Sequence, residues 1–104
     1  MSAIPNTQRG ETTIQIAGQS RLLRPTFEAL VLAEEELGSL FALVERAGEG
    51  RLKLAEMADL FWFCLVERDQ VSRAEVGKAI AEQGLAACAK PLRTLLGQIL
   101  QGRG

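Results

Sequence analysis

Histidine and tyrosine are both absent from the 104 residues. Without histidine there is no Ser-His-Asp or Cys-His catalysis, no imidazole ligand for a metal and no ordinary switch near neutral pH. The missing tyrosine removes another common general acid. No acid, base and nucleophile can be assembled from what is left, so the sequence reads as a non-enzyme with no cofactor and no small-molecule substrate. Cysteine is scarce: Cys64 and Cys88 are too few for a disulfide framework and lack the CxxC spacing of zinc or redox sites. Each lies in an apolar helical run, where a free thiol acts as a small buried hydrophobe. Long apolar runs are missing as well. The longest, 60–66, has the sequence LFWFCLV, far short of the roughly 20 residues of a membrane helix. The opening MSAIPNTQRG holds no apolar stretch of signal-peptide length. The expected setting is the cytoplasm, away from membranes.

What is present is globular in kind: 47% apolar and 24% charged residues, at the length of one domain. A chain of this size buries roughly 60–70% of the surface exposed by its unfolded form, enough to fold without metals or cross-links. The net charge of −1 gives no general attraction to nucleic acid. Its distribution is uneven, with ten acids against four bases over 27–69 leaving that stretch at −6 and the remainder at +5. Such polarity can orient a partner.

The pattern predicts an α+β, mainly α, domain over 10–100, preceded by a flexible arm (1–9) and followed by a tail (101–104). From Glu11, Thr13 and Gln15 alternate with Thr12, Ile14 and Ile16, and a second short run, Ser20 to Arg24, follows Ala17-Gly18-Gln19. This predicts a β-hairpin with Ile14, Ile16 and Leu22 on its buried side. Pro25-Thr26 marks a boundary with a good N-cap. About five helices follow. The first carries Phe27, Leu30, Val31, Glu34 and Leu37 at helical spacing and stops at Gly38; the second, capped by Ser39, places Leu40, Phe41, Leu43, Val44 and Ala47 inward. The third, Leu54 to Arg68, is apolar nearly all round and should be central, with Leu54, Met57, Phe61, Cys64 and Leu65 on one face. Ser72-Arg73-Ala74-Glu75 is a capping box for a fourth, ending near Gly84, with Val76, Ala79 and Ile80 inward. The fifth begins at Leu85 and carries Cys88, Leu92, Leu95, Leu96, Ile99 and Leu100; Pro91 either opens it or kinks it.

Few segments carry chemistry. Gly48-Glu49-Gly50-Arg51-Leu52-Lys53 lacks the spacing of a phosphate loop and reads as a helix stop with its connection. Glu34-Glu35-Glu36 sit on consecutive helix positions about 100° apart, so they cannot converge on one cation unaided. They read as a solvated face, with a partner contact through Glu34 and Glu35 as the minority reading. The final helix offers only Lys90 and Arg93 as bases before residue 101, too few for DNA recognition. Trp62 and Phe63 are core by default. If Phe61 and Leu65 face inward, Trp62 stands well around the helix, so the pair Trp62 and Phe63 is the candidate partner surface.

Taken together, the chain resembles a known family. The resemblance rests on Arg9-Gly10-Glu11, the Gly18 turn, Leu23-Arg24-Pro25-Thr26-Phe27-Glu28-Ala29-Leu30 and Glu34-Glu35-Glu36-Leu37-Gly38. It continues through Arg51-Leu52-Lys53-Leu54-Ala55-Glu56, the Trp62 helix, Val71-Ser72-Arg73-Ala74-Glu75-Val76-Gly77 and the Leu95-Leu96 helix, covering about 9–100. In order and spacing these segments are similar to the small tail assembly chaperones of gene transfer agent clusters and related prophages, also described as tail-tube associated. The resemblance implies a non-enzymatic role. Such proteins bind the tape-measure protein, whose long apolar helices would otherwise aggregate, help tail-tube subunits polymerise around it, and leave the finished particle. Many related chaperones also occur in a longer, frameshifted form. The expected partners are the tape-measure and tail-tube proteins, with self-association left open. The alternatives are a structural tail component retained in the particle and, disfavoured by the acidic charge, a small DNA-binding regulator.

Overall fold

The computed structural model describes residues 10–101, so the expected arm and residues 102–104 of the expected tail lie outside the described residues. Alternation forms strand β1 (Thr12–Ile16), which pairs antiparallel with β2 (Gln19–Leu23). The two-residue turn between them has φ of 53° at Ala17 and 79° at Gly18. Two left-handed residues make the primed turn whose twist matches paired strands. Ile14 and Ile16 are buried as expected, but on β2 the fully buried residue is Leu23 and not Leu22. The register explains this. Leu23 stands opposite Thr12, Arg21 opposite Ile14 and Gln19 opposite Ile16, so Leu23 shares the inward face while Leu22 points to the other.

Five helices follow: α1 (Phe27–Leu37), α2 (Leu40–Gly48), α3 (Leu54–Cys64), α4 (Arg73–Gln83) and α5 (Leu85–Gln101), with a 3₁₀ turn at Arg68–Gln70. The caps expected from sequence are made. Thr26 Oγ1 accepts the Ala29 N–H at 3.1 Å and Ser39 Oγ the Ala42 N–H at 3.2 Å. At α4, Ser72 Oγ accepts from Glu75 N–H while Glu75 Oε1 accepts from Ser72 N–H, completing the capping box. Gly38 and Gly84 close α1 and α4 with φ of 80° and 88°.

Helix α3 is central, packing on both α1 and α4, with Leu60 and Phe61 fully buried. It is shorter than the apolar run suggests. After Cys64 the chain turns extended, Leu65 forms an antiparallel bridge to Leu23, Arg24 N–H donates to Cys64 O at 2.7 Å and Val66 N–H to Leu22 O at 3.1 Å. Sheet pairing on the free edge of β2 thus takes Leu65 and Val66 out of the helix. Leu54, expected inward, is half exposed in the first turn of α3.

Strand β1 rests on α4 and α5, and the Gln83 side-chain amide donates to the Gln15 carbonyl. Gly10, with φ of 75°, lies so close to α5 that a Cβ there would fall 2.4 Å from Gln98 Cβ. Helix α5 runs unbroken through Pro91, whose missing N–H leaves the Ala87 carbonyl without its usual i+4 donor. Cys88 and Leu95, one in each half, seat it on the core, while Leu85 and Leu100 are exposed. Both cysteines are free and buried, and burial pushes the Cys64 thiol up to about 12.

Candidate functional site

The fully buried residues of α1 are Ala29 and Ala33, with Leu30, Leu32 and Leu37 only partly buried against the core beside them. Small side chains let a helix approach its neighbour closely, and the same rotation carries Phe27 and Val31 to the outside. Phe27 is 85% exposed. Helix α2 repeats the arrangement: Leu40 and Leu43 are buried, whereas Phe41, expected inward, is 66% exposed. Leu100 at the end of α5 is 52% exposed.

These outward residues converge. A groove of about 300 Å³ is walled by Phe27, Leu30, Val31 and Glu34 of α1, by Leu40, Phe41 and Val44 of α2, and by Ile99 and Leu100 of α5. Its angle is set by the short connection at Gly38-Ser39, where Glu34 Oε2 accepts the Leu40 N–H at 3.1 Å and so ties the end of α1 to the start of α2. Exposed aromatics grouped in one concavity are what a protein-binding surface supplies, since bulky anchors in desolvated pockets carry most interface energy. A small-molecule site would need several convergent polar groups to orient its ligand. Here Glu34 is the one charged wall residue, and one of its oxygens is already engaged.

A second concavity, about 380 Å³, lies between the start of α1 and the chain leaving α3, and includes Arg24, Glu28, Cys64, Arg68 and Asp69. Its cations are committed internally. Arg24 bonds Glu11 at 2.6 Å, and Arg68 faces Glu28 at 3.7 Å while donating to the Phe63 carbonyl at 3.3 Å. No group of three or more histidines, cysteines or carboxylates among the described residues is placed to hold a metal.

The four residues singled out from sequence fall in two places. Phe63 is buried, with its ring edge-on to Trp62 at 5.1 Å and 74°. Trp62 is half-buried, and its indole N–H donates to the Val71 carbonyl at 2.6 Å. The Arg73 guanidinium covers both rings, 4.5 Å and 4.7 Å from their centroids, and is itself bound to Glu36, whose carboxyl that bond holds below its ordinary range. The pair thus cements α3 to α4, while on α1 exposed Glu34 forms part of the groove wall and exposed Glu35 is the next residue. Sequence periodicity missed Phe27, Phe41 and Leu100 as groove residues because it treats every large apolar side chain as core. The signal was Ala29-x3-Ala33, a small-residue stripe competing for the inward face.

No helix among the described residues is long and apolar enough to cross a membrane. No curated protein and no solved structure matches the chain. A family model described as phage tail tube protein, GTA-gp10, matches residues 9–102. That span takes in both strands, all five helices and every wall of the groove, and the chain belongs to this family of phage tail proteins.

Proposed function

We propose that the protein is a tail assembly chaperone, not a catalyst: it holds an apolar helix of the tape-measure protein in the groove between α1, α2 and α5 until tail-tube subunits assemble around that protein. The observation that carries the reading is the exposure of Phe27 and Phe41 on one concave face. A chaperone of this kind needs a single surface that covers and releases a helix. A subunit of a stacked tube needs complementary patches on opposite sides of each copy, whereas the two exposed phenylalanines here share one groove. The experiment is co-expression with the tape-measure protein. Soluble capture that is lost on Phe27→Ala/Phe41→Ala supports the reading; a tape-measure protein that stays insoluble and unbound removes it.

The family description favours a second reading, a tube-associated component retained in the particle. Mass spectrometry of purified particles separates the two, because a chaperone is absent and a component is present in fixed ratio.

A further inference from the structure

Carboxylates outnumber bases on the helices that border the groove. Helix α1 carries four glutamates and no base, and α2 adds Glu45 and Arg46. Several of these charges are already matched: Arg46 to Glu56 at 2.7 Å, Glu28 to Arg68, and Glu36 to Arg73. Glu35 and Glu45 are different. Glu35 follows Val31 by one turn and Glu45 follows Phe41 by one, so each continues the face of a groove residue. Both are exposed, and neither has an ion pair among the described residues. Glu34 adds a third carboxylate in the wall itself. On α5 the base on this side is Arg93, two turns before Leu100.

The backbone around the groove narrows the occupant further. All three walls are helices, so an extended peptide would find no strand edge to pair with and would lose its own backbone hydrogen bonds. A helix brings its backbone already satisfied and presents only side chains. Resting on the chaperone reading, we infer that the groove takes an amphipathic helix whose apolar stripe is flanked by lysine or arginine. The apolar stripe fills the space between Phe27, Phe41 and Leu100, and the flanking bases meet Glu35 and Glu45. Unpaired rim charges steer encounter and reject acidic helices more than they add to bound-state energy.

The test uses the full chain and two synthetic helical peptides with the same leucine stripe, one flanked by lysine and the other by glutamate, followed by fluorescence anisotropy. The lysine peptide should bind about tenfold tighter near ~50 mM salt, with the gap closing toward ~0.5 M as screening shortens the reach of the rim. Glu35→Lys/Glu45→Lys should invert the preference, and Phe41→Ala should weaken both peptides alike. Equal binding, preference for the glutamate peptide, or no binding of either overturns the inference. So does sedimentation as a dimer that Phe41→Glu dissociates, which would assign the groove to a second copy of the chain. Soluble capture of the tape-measure protein without any peptide preference keeps the chaperone reading and removes this one. A lysine preference without such capture does the reverse.

Discussion

Arg73 on α4 and Glu36 on α1 form a two-point ion pair, the Nη2–H donating to Oε1 at 2.8 Å, over the faces of Trp62 and Phe63 on α3. One guanidinium therefore joins three helices. Its planar fork and its stacking face are both in use, which a lysine cannot reproduce. Arg73→Lys should cost about 1–2 kcal/mol, chiefly from the lost ring contact, and Glu36→Gln clearly less, because the carboxylate is exposed and its pairing is screened by solvent. Urea unfolding of the two variants checks the order; equal losses would place the stabilisation in the ion pair and not in the stack.

A second ion pair makes stability depend on acid. Glu56 Oε1 accepts from Arg46 at 2.7 Å and from the Lys53 N–H at 3.0 Å, and these bonds, the arginine's first, hold its carboxyl at about 2 against an ordinary 4.5. A depressed carboxyl stabilises the fold fully above its unfolded value and loses that contribution as pH falls toward the folded one. Glu36 and Glu75 are shifted in the same direction, by Arg73 and by the Ser72 cap. The stability gap between the native chain and Glu56→Gln should be widest above about pH 5 and shrink steadily toward pH 2. A gap that grows on acidification would contradict the assignment.

The hairpin turn holds a residue that the sequence does not favour there. Ala17 adopts φ of 53°, a left-handed conformation that costs an alanine roughly 1 kcal/mol and a glycine or asparagine much less. Ala17→Asn should therefore raise the melting temperature by about 2–6 °C at this chain length. Scanning calorimetry provides the check, and an unchanged or lower value would mean the turn relaxes differently.

Exposed and buried phenylalanines should separate function from folding. Phe27→Ser and Phe41→Ser touch the groove alone and should change stability by no more than about 0.5 kcal/mol each while abolishing capture of the tape-measure protein. Phe61→Ala, in the fully buried centre of α3, should cost about 3–5 kcal/mol. Chemical unfolding beside co-expression capture distinguishes the two classes; groove variants that capture normally would move the partner surface elsewhere.

Local chemistry was legible from sequence wherever one residue's hydrogen bonds decide the outcome. The caps at Thr26, Ser39 and Ser72, the stops at Gly38 and Gly84, and the hairpin turn are of this kind, as is the burial of Ile14, Ile16, Val76 and Ile80. Features decided by a partner distant in the chain were not. The end of α3 depends on β2 capturing Leu65, and the facing of α1 depends on how closely Ala29 and Ala33 let it approach α3. The candidate site inherits that limit. Glu34 and Glu35 were singled out from their own segment, while Phe27, Phe41 and Leu100 come together only through the packing of three helices.

The bridge between Leu23 and Leu65 has a consequence for the order of folding. β1 and β2 can close locally through their two-residue turn, but the second edge of β2 is completed only when a segment far along the chain arrives. That contact closes a loop containing α1, α2 and α3, and its entropy must be met before the bond is rewarded. The amides of Arg24 and Val66, which donate across this junction, belong to one cooperative unit with the core of α3. In hydrogen exchange they should open together, at the free energy of global unfolding and not at the lower cost of fraying a surface hairpin.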